Sequence, residues 1–246
     1  MSTKTVMLTG GASGIALLAG TCYAKEGYNV VLVDINEDAL NKVKESLSEY
    51  GDRILVIRAD VTKYEDAVMA RDKAVEVFST IDILICCAGG AETRLCNQGG
   101  NFWEIPIETY DFGIDLNLKG AIYFDHAVMA QMVKQNSGVI IHLGSITGAE
   151  GSSAAVAYAA SKSALMHGVT KSIALAGAPY NIRCVCIAPG PVLTRDAMAN
   201  MKTLIGRAAD TQEIVDLIMY VASEKGAFIN GTCFLADGGR YVMYNK

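Results

Sequence analysis

Thr9-Gly10-Gly11-Ala12-Ser13-Gly14-Ile15-Ala16 is the stretch that decides how the rest of the chain is read. A short apolar run, Thr5–Thr9, leads into it, and an apolar-periodic segment, Ile15–Glu26, leaves it. A strand that turns through glycines straight into a helix brings backbone close to a ligand. It also aims the helix's free N–H groups and partial positive charge at that ligand. About 20 residues further on, a second apolar run, Asn29–Asp34, ends in an acid.

Outward from that turn, short β-branched runs alternate with longer amphipathic stretches. Strands are expected near Thr5–Thr9, Asn29–Asp34, Arg53–Arg58, Ile83–Cys87, Gly138–Leu143, Ile182–Ile187 and Thr232–Leu235. Helices are expected over Ile15–Glu26, Glu37–Tyr50, Tyr64–Phe78, Ile107–Gln135, Ala157–Ala176 and Gln212–Ser223, with Asn36 and Thr211 as start signals. Continuously apolar strands such as Val139-Ile140-Ile141 suit a parallel sheet buried on both faces. The pattern predicts an α/β fold, a Rossmann-like doubly wound parallel sheet of about seven strands flanked by helices. No linker or repeat interrupts it, so residues 1–246 read as one domain.

Composition narrows the function. Of 246 residues, 51% are apolar and 19% charged, with a net charge of −5, so a disordered chain is excluded. Without a basic run, phosphate-neutralising nucleic-acid binding is excluded too. No stretch is long and apolar enough to span a bilayer, and no signal-like segment opens the chain, so a soluble cytoplasmic protein is expected. The 7 cysteines include the pairs Cys86–Cys87 and Cys184/Cys186, yet no C-x-x-C spacing repeats. They read as reduced, buried thiols. The 3 histidines lie at no metal-ligand spacing, so no metal is expected. His142, inside an apolar strand, reads as a hydrogen-bonded core residue.

Tyr158-Ala159-Ala160-Ser161-Lys162 places a phenol and an ammonium on one face of a predicted helix. A tyrosine has a free pKa of about 10, too weak a base near neutrality. A cation one turn away favours its phenolate. Upstream, Ser145 follows the strand Gly138–Leu143, at the strand end where α/β proteins bind ligands. Downstream, Pro189-Gly190-Pro191-Val192-Leu193-Thr194 leaves another strand through a rigid turn.

Together these motifs resemble the short-chain dehydrogenase/reductase family over essentially the whole chain. Thr9, Gly10 and Gly14 match its first glycine motif, and Asn117, Ser145, Tyr158 and Lys162 match its catalytic tetrad. Asp60–Val61, Pro189–Gly190 and the closing Asp237-Gly238-Gly239 match the remainder. The resemblance implies an NAD(H)-dependent interconversion of a secondary alcohol and a ketone, with Tyr158 as general acid and base. Ser145 would hold the substrate oxygen, Lys162 would bind the nicotinamide ribose, and Asn117 would anchor a relay water. Cofactor contacts would come from Gly10, Ser13, Gly14, Ile15, Asp34, Ile35, Asp60, Val61, Ala88, Gly89, Pro189, Gly190, Val192 and Thr194. Asp34 would repel a 2′-phosphate, which favours NAD over NADP. The resemblance further implies a homo-oligomer, a tetramer or dimer, with the apolar tail Tyr241–Tyr244 suited to the interface.

The chain departs from the family at three places. Ala16 replaces the third glycine of the first turn, and Cys86-Cys87-Ala88-Gly89 replaces an Asn-Asn-Ala-Gly motif, which removes side chains that would steady that loop. The stretch Gly90–Pro106 is long and the segment Arg195–Gly206 short, which implies an open pocket or one completed by the long loop or another subunit. Arg94, Trp103, Glu150 and Arg195 fall on segments near its mouth. A sugar, polyol or hydroxy acid is the expected small-molecule substrate. A 3-oxoacyl-carrier reductase, a steroid or bile-acid enzyme and a non-catalytic NAD(H) sensor are the alternatives.

Overall fold

In the computed structural model, which describes residues 3–244, seven parallel strands form one sheet in the order β3-β2-β1-β4-β5-β6-β7. They are β1 Thr5–Thr9, β2 Asn29–Asp34, β3 Ile54–Arg58, β4 Ile83–Cys86, β5 Gly138–Leu143, β6 Ile182–Pro189 and β7 Cys233–Ala236. From β1 the chain builds outward through β2 to β3, then returns to place β4 on the other side of β1. That reversal opens a crevice at the carboxyl ends of β1 and β4, where open α/β sheets bind ligands.

Both faces of the sheet are covered because its strands are apolar on both. In β1, Val6 and Leu8 face one core with Ala16, Ala19 and Tyr23 of α1 (Gly14–Lys25) and with Ile214 and Ile218 of α10 (Thr211–Ala222). Met7 points the other way, to Ala67, Ala70 and Ala74 of α3 (Tyr64–Phe78) and Phe124 and Val128 of α6 (Gly120–Gln135). This alternation with period two fixes the register of every strand, since a one-residue slip would exchange the two cores.

The expected elements all form, with altered ends. Arg53 is not in β3: its Nη1 donates to the carbonyls of Ala24 and Tyr28 and ties α1 to the sheet edge. The helix after Asn36 stops early, as α2 (Glu37–Ser46), and a 3-10 turn broken at Gly51 (φ 59°) follows it. Asp210 rather than Thr211 caps α10, in a reciprocal capping box with Glu213. The helix expected over Ile107–Gln135 is α5 (Ile107–Ile114) and α6 joined by a π-turn, Asp115–Lys119. A second π-turn, Leu165–Val169, joins α8 (Val156–Ala164) to α9 (Thr170–Gly177). Each π-turn widens its helix beside a residue of the predicted tetrad, Asn117 inside the first and Lys162 just before the second. Short helices α4 (Glu92–Leu95), α7 (Thr147–Glu150) and α11 (Arg240–Tyr244) complete the chain.

Candidate active site

A cleft of about 970 Å³ occupies the crevice, and every predicted cofactor residue from Gly10 to Thr194 borders it. At one end is α1, whose first residue, Gly14, has φ 56°. Ser13 caps α1 with no side-chain hydrogen bond, and the first turn holds no acid. The helix therefore presents free N–H groups and an uncompensated positive end to the cleft, a setting for an anion. Gly10 (φ 69°) leaves no room for a side chain, since a Cβ would stand 3.0 Å from the Ala88 Cα. The second glycine of the turn is equally constrained: a Cβ on Gly11 would lie 2.9 Å from that of Leu32. Ala16 is buried in the core behind the turn, so the methyl that replaces a glycine is accommodated.

The carboxylate of Asp34 accepts the backbone N–H of Ala12 at 3.1 Å and of Asn36 at 3.0 Å. A carboxylate has about four acceptor positions, so two remain for hydroxyl groups. Asp60 is held by the N–H and hydroxyl of Thr62, and its neighbour Val61 packs where a side chain on Gly120 would collide. No cation lies among the residues from Gly10 to Thr62 that border this end.

The other end gathers the tetrad. Lys162, only 4% exposed, donates from Nζ to the Leu143 carbonyl at 2.6 Å and sits 5.6 Å from the centre of the Tyr158 ring. Two of its N–H groups remain for the cleft. Ser145 follows β5 in the same wall, its Oγ accepting the Thr147 N–H. Buried Asn117 spends its whole side-chain amide on backbone: Oδ1 accepts the Gly90 N–H, and Nδ2 donates to the carbonyls of Gly90 and Gly113. Gly89 (φ 152°) passes between these groups, because a Cβ there would lie 2.5 Å from Asn117 Oδ1 and 3.6 Å from Lys162 Nζ. On β6, Pro189 leads into Gly190, where a Cβ would stand 2.6 Å from the Asp237 Cα, and Val192 and Thr194 follow along the cleft.

The Cys86–Cys87 substitution does not loosen its loop. Thr9 Oγ1 accepts the N–H groups of both Cys87 and Ala88 at 3.1 Å. Burial pushes the Cys87 thiol up to about 12 despite the nearby Lys162 ammonium, so it is no nucleophile near neutrality. Cys86 faces the core instead, where its Sγ, Asp125 and His142 lie within 4.8 Å of one another, far apart in sequence yet all buried. Their polar atoms are mutually bonded: His142 Nε2 meets Asp125 at 2.9 Å and Nδ1 meets Thr170 at 2.8 Å, while the Cys86 thiol lies 3.7 Å from Asp125.

The sequence reading missed Glu92. Fully buried, it accepts the N–H groups of Ala157 and Tyr158, both at 3.0 Å, and so caps α8, the helix that carries Tyr158 and Lys162. No local signal marks it, because the helix it caps lies 65 residues away. Of the four residues placed near the pocket mouth, Arg94 and Arg195 border the cleft. Trp103 does not, standing 78% exposed, and Glu150 pairs with Arg240 at 3.0 Å. Arg240 also donates from Nη1 to the Lys202 carbonyl at 3.2 Å, and with the Ile205 N–H on the Gly238 carbonyl this fastens the short segment after Thr194 to the chain's closing turn.

A family model described as short chain dehydrogenase matches residues 4–204. The chain belongs to the short-chain dehydrogenase family. It is thus an oxidoreductase whose named relatives act on alcohols. It is 33% identical to the oxidoreductase UcpA of Salmonella typhimurium, over 96% of this chain and 94% of that protein. It is 34% identical to trans-4-hydroxycyclohexanecarboxylate dehydrogenase of Sinomonas cyclohexanicum, over 98% of this chain and 94% of that protein. Among solved structures, an NAD+-bound xylitol dehydrogenase superposes with a TM-score of 0.86 at 27% identity, over 97% of this chain and 99% of that one. No helix among the described residues is long and apolar enough to cross a membrane.

Proposed function

We propose that this enzyme interconverts a secondary alcohol and a ketone with NAD(H), and that Tyr158 is its general acid and base. The observation that carries the reading is one cleft with Ser145, Tyr158 and Lys162 at one end, where Asn117 lies buried behind Gly90, and an uncapped helix N-terminus at the other. Gly10, Ser13, Gly14 and Ile15 would hold the pyrophosphate on the free N–H groups of α1. Asp34 and Ile35 would hold the adenosine ribose, Asp60 and Val61 the adenine. Ala88, Gly89, Tyr158 and Lys162 would hold the nicotinamide ribose, and Pro189, Gly190, Val192 and Thr194 the carboxamide. When bound, the nicotinamide takes up or gives back a hydride.

The protein's own groups handle the proton. Ser145 Oγ orients the substrate oxygen beside Tyr158. In oxidation the Tyr158 phenolate oxygen takes the hydroxyl proton; in reduction the phenol returns it to the carbonyl oxygen. Lys162, held by the Leu143 carbonyl beside the Tyr158 ring, stabilises negative charge on that oxygen. Because the Asn117 amide is spent on Gly90 and Gly113, its backbone carbonyl would hold the relay water.

Asp34, which has no ion pair among the described residues, supports NAD over NADP, since its charge would oppose a 2′-phosphate. The names of the relatives support a small alcohol of the hydroxy-acid, polyol or sugar kind. We also propose that the chain folds as one domain and works in the cytoplasm as a homo-oligomer. Free cysteines throughout and apolar side chains left bare at Leu175, Phe228 and Leu235 support this. The decisive experiment is NADH formation from a panel of secondary alcohols, with NAD and NADP compared. Tight NADH binding without turnover of any alcohol or ketone would instead favour a nucleotide sensor.

A further inference from the structure

Two guanidinium groups border the cleft, those of Arg94 and Arg195. Arg195 follows Thr194 and turns its guanidinium to the Met198 sulfur, 3.7 Å away. Arg94 stands with the tetrad: its Nη2 lies 2.6 Å from the place of a Gly90 Cβ, and Gly90 is itself bonded to Asn117 through N–H and carbonyl. Glycine at this position lets the guanidinium lie against the backbone beside the tetrad.

The position of Arg94 is also fixed relative to Tyr158. It rides on α4 with Glu92, whose carboxylate accepts the N–H of Tyr158 itself. One buried carboxylate thus fastens the turn that carries the cation to the helix that carries the phenol. Arg94 is exposed and forms no ion pair among the described residues. Of the residues that border the cleft, the only acids are Asp34 and Asp60, both at the adenosine end. Around the tetrad the border also holds the apolar side chains of Leu95, Phe112, Ile146, Ala155, Met198 and Met201 and the hydroxyls of Thr147 and Ser152.

We propose that the substrate is a secondary alcohol bearing a carboxylate on a hydrocarbon skeleton, and that Arg94 binds that carboxylate. The inference rests on the dehydrogenase reading of the same site. A planar guanidinium pairs with a carboxylate through two parallel hydrogen bonds, which fixes orientation as well as charge. A polyol would need partners for several hydroxyl groups, and beyond Ser145, Thr147, Ser152 and Tyr158 this part of the border offers it chiefly apolar side chains, whereas the guanidinium suits an anion.

The test uses paired substrates, 4-hydroxycyclohexanecarboxylate and 3-hydroxybutyrate each beside its methyl ester, with cyclohexanecarboxylate as an unreactive probe. The wild-type enzyme is expected to prefer acid over ester in kcat/KM by about 10- to 100-fold, the range of a charged hydrogen-bonded pair. Arg94→Ala should bring that ratio close to one, and Arg94→Lys should restore part of it. An acid preference that survives in Arg94→Ala, or a wild-type enzyme that favours the ester, overturns the proposal. If neither acid nor ester is turned over, nor any alcohol of the wider panel, the dehydrogenase reading fails by itself. Calorimetric titration with cyclohexanecarboxylate then decides the role of Arg94. Binding weakened at least about tenfold in Arg94→Ala supports it; binding that is absent or indifferent to the substitution overturns it.

Discussion

The carboxylate of Glu92 accepts the backbone N–H of Tyr158 at 3.0 Å, so a loop leaving β4 holds the first turn of the helix that carries the proposed acid–base. Its second oxygen takes the neighbouring Ala157 N–H. A buried negative charge at a helix N-terminus is favourable, and here it also sets where the phenol stands.

Glu92→Ala therefore removes two charge-assisted hydrogen bonds and strands two N–H groups in the interior. The expected loss of stability is about 2–4 kcal/mol, read by urea denaturation, with a fall in kcat of tenfold or more. Glu92→Gln keeps one acceptor oxygen and should lie between. A stability change of under about 0.5 kcal/mol in the alanine variant would place the carboxylate outside the fold's framework.

Replacing Tyr158 by Phe deletes one oxygen and leaves the half-buried ring in place beside Lys162. Turnover should fall by about 10²–10⁴-fold or more, while NADH binding, followed by fluorescence titration, stays within a few-fold of wild type. Substantial residual turnover would remove Tyr158 from the acid–base role.

Asp34→Ser tests cofactor choice. The substitution removes the charge that would oppose a 2′-phosphate and also frees the N–H groups of Ala12 and Asn36. The ratio of kcat/KM with NAD to that with NADP should drop by at least about tenfold, with about 1–2 kcal/mol lost from stability. A ratio that does not move would show that Asp34 serves only the turn.

The core pair His142–Asp125 predicts a pH dependence. Burial alone would hold His142 neutral, but the Asp125 carboxylate at 2.9 Å and the Cys184 sulfur at 3.8 Å together raise the imidazole well above its ordinary value. A raised folded-state pKa means that the folded protein binds the proton more tightly. The stabilisation is therefore complete below about 6.5, the unfolded value, and is lost as pH rises through the folded value. Asp125→Asn should cost about 3–5 kcal/mol, because it leaves a buried imidazole without its counter-charge. With burial, the largest influence on His142, then set against Cys184 alone, the dependence on pH should reverse, stability falling as the solution is acidified below about 6.5. Denaturation midpoints across this range, compared between the two proteins, measure the effect; identical pH profiles would contradict the ion pair.

Local pattern was sufficient for the sheet and for much of the candidate site. The run Thr9–Ala16 carries its own turn chemistry, so strand, turn and helix could be placed from residue types alone. Strand ends were less legible where a distant partner decides them. Arg53 reads as a strand residue until its guanidinium finds the Ala24 and Tyr28 carbonyls. The π-turns at Asp115–Lys119 and Leu165–Val169 each add a residue to one turn, which shifts the apolar phase without ending the run, so each pair of helices reads as one.

What the sequence by itself determined was the order of the elements, the glycine turn and the residue types of the proposed tetrad, all carried by neighbours along the chain. Tertiary structure alone decided the rest: Glu92 on the cap of α8, Thr9 steadying Cys87 and Ala88, Asn117 bonded to Gly90, and Asp125 paired with His142. Each joins segments distant in sequence, and a buried hydrogen bond or ion pair of that kind depends on which faces the sheet and helices bring together. Spacing along the chain records periodicity within an element, but not which other element lies against it.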